Sequence, residues 1–256
     1  MATLPNSSLQ QVLILKADRF YAEVLRHHAE RVLPNAKVVV VTSVSAAERA
    51  LAARSVDLFV TSLGEALEGD ALDLVFRCTT PPVLARRILV VISRREYRTV
   101  AALRSLPING VFDSAEEPPA AFTRAVQAVA AGAHFWSASI LRHLQTLASA
   151  PRALFRLLTD FEQVVLSVIG DGCDDTVAAR RLGLSRSTIA TVRRELHRKL
   201  RVQHRGDLVR VAAQLGFVRF TPNGVERPGF ALLAAAYHPR RHREPVWTQG
   251  SLTAAA

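Results

Sequence analysis

Cysteine is almost absent from this chain: 256 residues hold two, Cys78 and Cys173. They stand far apart and in no metal-ligand spacing, which excludes a disulfide framework and a Cys-rich zinc site and fits a reducing compartment. Lysine is nearly as rare, with three residues against 30 arginines, and aromatics make up 6%. No apolar run approaches the roughly 18 residues of a membrane span. No basic segment followed by an apolar one opens the chain, so neither a membrane nor secretion is expected and the cytoplasm is the expected location. A glycine-rich phosphate loop, a nucleophile elbow and zinc-enzyme spacing are all missing. The expectation is a protein that is not an enzyme, with no cofactor and no metal. Acids are also scarce, 22 against 33 Lys and Arg, for a net charge of +11.

The charge is unevenly placed. Residues 1–150 carry 16 basic and 13 acidic side chains, and residues 151–256 carry 17 and 9. The excess lies in the C-terminal part, where contacts to a polyanion would be useful. With 49% hydrophobic residues the chain can build sizeable cores, and its length suits two domains.

In the first half, short apolar runs alternate with helical patterns. Residues 11–16, 37–42, 57–61, 88–92 and 110–112 read as strands. Helices are predicted over 18–32, 43–53, 67–78, 95–103 and 118–131. Continuous apolar strands imply a parallel sheet covered on both faces. The pattern predicts an α/β doubly wound, five-stranded sheet of flavodoxin-like order, with any site at the carboxyl ends of its strands.

Residues 158–218 predict an all-α helix-turn-helix unit. Thr159 and Glu162 have capping-box spacing at the start of its first helix. Val164, Val165, Val168 and Ile169 form its apolar stripe, and Gly172 is expected to end it. Asp174 or Asp175 caps a second helix that buries Val177, Ala178 and Leu182. After the turn Leu182-Gly183-Leu184, Ser185 caps a third. Thr188, Ile189, Val192, Leu196 and Leu200 fall on its inner face, and Arg186, Ser187, Ala190, Thr191, Arg194 and Arg198 fall outside. Between Arg186 and Arg205 stand seven basic residues and one acid, Glu195. A solvated helix usually mixes signs at pairing distance, so this surplus points to double-stranded DNA in a major groove. Arg194 is placed to read a guanine edge. Arg193, Arg198 and Lys199 are expected to hold phosphates.

The order Leu158-Thr159, Glu162, Val165-Leu166, Gly172, Ala179, Leu182-Gly183, Ser185, Thr188-Ile189 and Lys199-Leu200-Arg201-Val202 resembles the LuxR/NarL type of helix-turn-helix. Thr176-Val177-Ala178 and Val192 depart from its usual pattern. The resemblance implies that Ser185, Ala190, Thr191 and Arg194 lie near base edges or adjacent phosphates, and that the domain binds DNA as a dimer.

Five βα units ahead of such a domain resemble a response-regulator receiver, closed by Gly132-Ala133-His134-Phe135-Trp136-Ser137. A working receiver holds Mg²⁺ with two acids after the first strand and takes phosphate on an acid ending the third. It contacts the phosphoryl group with a hydroxyl after the fourth strand and a lysine after the fifth. Here those positions align with Lys16-Ala17, Ser62 (or Thr61 if the register slips by one), Ser93 and Ser114. The resemblance therefore implies a degenerate receiver without phosphate chemistry. Asp18 and Asp57 are each read as a helix cap or a surface acid. The expected organisation is a receiver-like domain over 8–138, a linker over 139–154, the DNA-binding domain over 155–220 and a basic, mobile tail over 221–256. The expected function is a bacterial transcription regulator of the atypical response-regulator kind, acting as a homodimer. The alternatives are a phosphorylated two-component regulator and an auxiliary regulator acting as a heterodimer.

Overall fold

The computed structural model describes residues 9–63, 70–149, 157–222 and 224–237. The chain divides into two units, Met1–Arg95 with Val100–Thr146 and Glu96–Thr99 with Leu147–Ala256.

The first unit is built on β1 (Gln11–Leu15), β2 (Lys37–Val41), β3 (Val56–Ser62), β4 (Ala85–Ile92), β5 (Gly110–Asp113) and β6 (Phe135–Trp136). All pair in parallel, in the order β2-β1-β3-β4-β5-β6. The flavodoxin-like order is as expected, with one strand more. Each connection carries a helix, as parallel pairing requires: α1 (Arg19–Val32), α2 (Val44–Ala53), α3 (Ala71–Thr79), α4 (Tyr97–Ser105) and α5 (Pro119–Ala130). The first six residues of the stretch 64–70, where the third helix was expected to begin at Leu67, lie outside the described residues. Asp18, Ser43 and Asp70 cap α1, α2 and α3 by accepting the N–H of Tyr21, Ala46 and Leu72. Ile14, Leu58, Val60, Leu89, Val91 and Phe112 from the strands meet Phe122, Val126 and Val129 of α5 in one core.

The sixth strand is two residues that dock on the free edge of β5, with Gly110 beside Phe135. A Cβ on Gly110 would stand 2.8 Å from Leu89 Cδ1 and 3.1 Å from the Phe135 carbonyl oxygen. Only glycine lets that edge close. The chain continues into α6 (Ala138–Ser149), so the segment expected as a linker begins as regular helix.

The second unit holds α7 (Asp160–Ile169), α8 (Asp175–Leu182), α9 (Arg186–Leu200) and α10 (Arg205–Gln214). Thr159 and Glu162 form the full capping box. Gly170, not Gly172, caps the end of α7; Gly172 sits in the following turn at φ 88°. Residues 219–222 and 224–237, expected for the most part as tail with a turn of helix over Leu232–Tyr237, are regular. They form an antiparallel hairpin, β7 (Arg219–Thr221) and β8 (Gly224–Glu226), and a short helix, α11 (Phe230–Ala236). Phe230, Leu233 and Ala234 of α11 are buried, and Tyr237 stacks on Phe161 of α7 with ring centroids 4.8 Å apart. This explains why α7 is buried continuously from Glu162 to Ile169 rather than along one stripe. Arg240–Arg243 lie outside the described residues.

Candidate nucleic-acid interface

α8 and α9 meet through Gly183, which takes φ 65° and ψ 31°. That left-handed corner costs glycine little, and it ends α8 one residue before α9 must be capped. Ser185 then accepts the N–H of Thr188 at 3.0 Å. Ile189 and Leu196 are fully buried and Val192 is 8% exposed, so the inner face of α9 is anchored as the sequence predicted.

The opposite face carries Arg186, Ser187, Thr191, Arg194 and Arg198, all exposed, with Ala190 half-buried among them. Ser185 is also exposed and stands 2.8 Å from the hydroxyls of both Ser187 and Thr188. Arg194 donates to Thr191 Oγ1 at 3.3 Å, which places a guanidinium and a hydroxyl side by side on the outward face. Arg186 and Arg194 form no ion pair among the described residues. Arg198 pairs with Glu195 at 2.9 Å in an exposed i,i+3 contact, the weak kind that a phosphate displaces readily.

Two residues expected at phosphates have partners within the protein. Arg193 contacts Asp175 through Nε at 2.7 Å and Nη2 at 2.6 Å, and Nη2 donates to the Cys173 carbonyl at 3.3 Å. Its side chain is 13% exposed. Lys199 donates to Glu162 Oε2 at 2.7 Å, with the two side chains 20% and 10% exposed. Both positions flank the buried stripe of α9, so their cations turn inward and meet acids on α8 and α7. Arg205, next along, donates to the Gly172 carbonyl. The cationic surplus counted along the helix is therefore partly neutralised by residues distant in sequence, and the outward charge is concentrated on Arg186, Arg194 and Arg198, with Arg201 exposed beyond them.

Glu162 thus has two roles: it accepts the Thr159 N–H at 2.8 Å and Lys199 Nζ. Burial alone would raise its carboxyl pKa; the Lys199 and Thr159 bonds outweigh that and hold it below the usual glutamate value. Sequence reading found the cap and missed the lysine. It also missed Arg227 and Asp171, joined at 2.6 Å with side chains 7% and 8% exposed. No local periodicity marks either residue.

At the carboxyl edge of the parallel sheet, the degenerate receiver positions lie at the ends of their strands. Lys16 is 7% exposed, its Nζ stands 3.4 Å from Ser62 Oγ, and it lies 5.1 Å from the Tyr21 ring centroid. Ala17 follows, half-buried. Ser93 is exposed after β4, and Ser114 donates its hydroxyl to the Ile92 carbonyl at 3.1 Å. Asp18 caps α1. Asp57 lies at the opposite end of β3, where it accepts the N–H groups of Gln10 and Gln11 at 2.9 and 3.0 Å. Asp113, unnoticed in sequence, is fully buried where β5 ends. It accepts Ser139 Oγ at 2.7 Å and the Ala115 N–H at 3.0 Å, with Arg95 Nε 3.6 Å away. Relative to a working receiver the signs are exchanged: a cation follows β1 and an acid ends β5. A divalent cation does not fit beside the Lys16 ammonium. Among the described residues no three of His, Cys, Asp and Glu cluster to hold a metal, and no helix is long and apolar enough to cross a membrane.

A capped three-helix core whose basic third helix presents an outward face is a helix-turn-helix, here in a chain that also carries a receiver-like doubly wound sheet. Comparison makes this specific: residues 156–212 match the family model described as bacterial regulatory proteins, luxR family. The chain therefore carries a LuxR-family helix-turn-helix domain. No curated protein matches the sequence. Among solved structures, RcsB from Salmonella enterica serovar Typhimurium bound to promoter P1flhDC with phosphomimetic BeF3- is 21% identical with a TM-score of 0.56. That likeness covers 82% of this chain and 100% of that one. An RcsB–DNA complex, described as a two-component response regulator, is 21% identical with a TM-score of 0.53, covering 81% and 99%. Two RcsB dimers bound to two parallel DNAs are 20% identical with a TM-score of 0.53, covering 81% and 99%. These likenesses show the fold alone: a doubly wound sheet followed by a helical domain, as in RcsB.

Proposed function

We propose that this protein is a transcription regulator that binds double-stranded DNA through the outer face of α9, as a homodimer, and does so without phosphorylation. It is not an enzyme, takes no cofactor and acts in the cytoplasm. The observation carrying the DNA reading is the outward row of Arg186, Arg194 and Arg198, set opposite a buried Ile189 and Leu196 and framed by the Ser185 cap. Arg194 with Thr191 reads base edges; Arg186, Arg198 and Arg201 hold phosphates. The RcsB structures, described with promoter DNA and as dimers on DNA, support the same partner and stoichiometry for this chain.

Independence from phosphate rests on Lys16. An acceptor position occupied by Ser62, with an ammonium 3.4 Å away, supplies neither the carboxylate nor the metal ligands that phosphoryl uptake needs. Lys16 places fixed positive charge at the position where a working receiver gathers it by binding a metal.

The test is a titration against a duplex selected by the protein from a random pool, repeated across salt concentrations. About three phosphate contacts per protomer give a log–log slope of about −5 for a dimer. No binding to any duplex in dilute salt would overturn the proposal. Retention of one promoter only when a second regulator is added would favour the heterodimer instead.

A further inference from the structure

The luxR-family match ends at residue 212, yet the chain continues as ordered hairpin and helix to Tyr237. We infer that Arg227, in that extension, is a positioning residue for the recognition helix, acting through Asp171 and the turn between α7 and α8. This rests on the DNA-binding reading above and adds to the DNA-binding machinery a residue that lies outside the family's matched span.

At the end of α7 the Leu166 carbonyl keeps a regular helical partner, and the three that follow, from Ser167 to Ile169, do not. Gly170 N–H serves Leu166 at 2.9 Å and Gly172 N–H serves Ile169 at 3.1 Å. The Cys173 thiol points at the Val168 carbonyl at 3.5 Å. The Ser167 carbonyl is taken by Arg227 Nε at 3.0 Å. A guanidinium there also opposes the negative end of the helix dipole. The same guanidinium reaches Asp171 Oδ2 at 2.6 Å through Nη2, and Arg181 of α8 joins that oxygen at 2.5 Å.

Asp171 passes the constraint on. Its other oxygen accepts the Cys173 N–H at 2.7 Å. The Cys173 carbonyl accepts Arg193 of α9, and Arg193 holds Asp175 at the start of α8. One connected set of charged bonds thus runs from the extension, through the turn 170–175, to the inner flank of the recognition helix. A guanidinium this enclosed is costly to bury unless every partner is in place. The turn is therefore fixed in one geometry, and α9 with it.

Cys173 provides a local reporter, since burial and then the Asp171 carboxylate push its thiol up to about 11, while Cys78 is fully buried. The experiment compares Arg227→Ala, Arg227→Lys, Asp171→Asn and Phe230→Ala in the full chain. It measures alkylation of Cys173 by peptide mass, thermal unfolding, and the ratio of affinities for the selected duplex and a scrambled one. In Arg227→Ala and Asp171→Asn, Cys173 alkylation should rise and the affinity ratio should fall about tenfold. Arg227→Lys, whose ammonium can reach only one partner at a time, should recover part of that ratio. Phe230→Ala loosens the packing of α11 and should lower the unfolding temperature while leaving the ratio within about twofold. If Arg227→Ala keeps the wild-type ratio, or loses no more of it than an equally destabilised Phe230→Ala, the positioning role is wrong. If wild type fails to distinguish the duplexes while Cys173 still responds to Arg227→Ala, the DNA reading fails and the brace stands. Should Arg227→Ala not fold, Asp171→Asn and Arg227→Lys decide.

Discussion

Replacing Lys199 by methionine separates two roles that its sequence position leaves open. Methionine keeps an apolar stem along the flank of α9 and removes the ammonium. In the folded chain Lys199 Nζ lies 2.7 Å from Glu162 Oε2, and the side chains are 20% and 10% exposed. The variant leaves a largely enclosed carboxylate with the Thr159 N–H and hydroxyl at 2.8 and 3.1 Å as its remaining partners. Removing one partner of a fully buried pair costs about 3–5 kcal/mol, and an exposed pair is worth under about 1 kcal/mol. This pair sits between, so about 1–3 kcal/mol is expected, which lowers the unfolding midpoint of the second unit by about 5–15 °C. Glu162→Gln should cost less, and Lys199→Met with Glu162→Gln should cost less than the two added, because the stranded charge is gone. Calorimetry of the full chain reads the midpoint, and the duplex titration is run beside it. Glu162 is held below its ordinary value, so the pair's contribution is fully present above about pH 4.5 and fades as pH falls through the lower folded value. The gap between wild type and Lys199→Met should narrow over that range. Unchanged unfolding together with an equal loss of affinity for every duplex would refute the reasoning and return Lys199 to the phosphates.

Other outcomes follow from the same geometry. Arg194→Ala should relax choice at one base pair by about 1–3 kcal/mol, seen as unequal losses on matched and singly mismatched duplexes; equal losses would make Arg194 a phosphate contact. Acetyl phosphate with Mg²⁺ should leave the intact mass unchanged, because Lys16 and Ser62 stand where acids are required; a gain of one phosphoryl group would overturn the account of the sheet edge. Asp113→Ala should strand Ser139 Oγ and the Ala115 N–H and destabilise the first unit by about 2–4 kcal/mol. Hydrogen exchange at the β5 amides measures this, and unaltered protection would show that the buried carboxylate contributes nothing.

Much of the fold was legible because its signals are short in range. β1 to β5 each contain a short apolar run, and Asp18, Thr159 and Ser185 each accept a helix N–H three residues on. β6 was not legible as a strand, since two residues carry no period and Phe135-Trp136 pairs only because β5 offers a free edge. The register of the sheet edge was legible, and Lys16, Ser62, Ser93 and Ser114 follow the strands assigned to them. The partner of Lys16 and the acid at Asp113 emerged only once the strands were side by side. A turn of helix over Leu232–Tyr237 was legible and overlaps α11; the hairpin and the role of Arg227 were not, because Arg227 belongs to no amphipathic stripe and its partners are Ser167 and Asp171 on another helix and turn.

The chain's order of residues alone determined that a basic helix would follow a serine cap and present one apolar face, since caps and helical phase act over a turn or less. It could not determine which cations would be drawn to acids far along the chain. Arg193 meets an acid 18 residues away, Lys199 one 37 away, and Arg227 one 56 away. Such pairs exist only after the helices pack, because a charge is drawn inward only where packing has already placed its partner in a low-dielectric setting. Helical phase had already put Arg186, Arg194 and Arg198 on the outer face; tertiary structure made Arg193, Lys199 and Arg227 the bonds that hold that face in place.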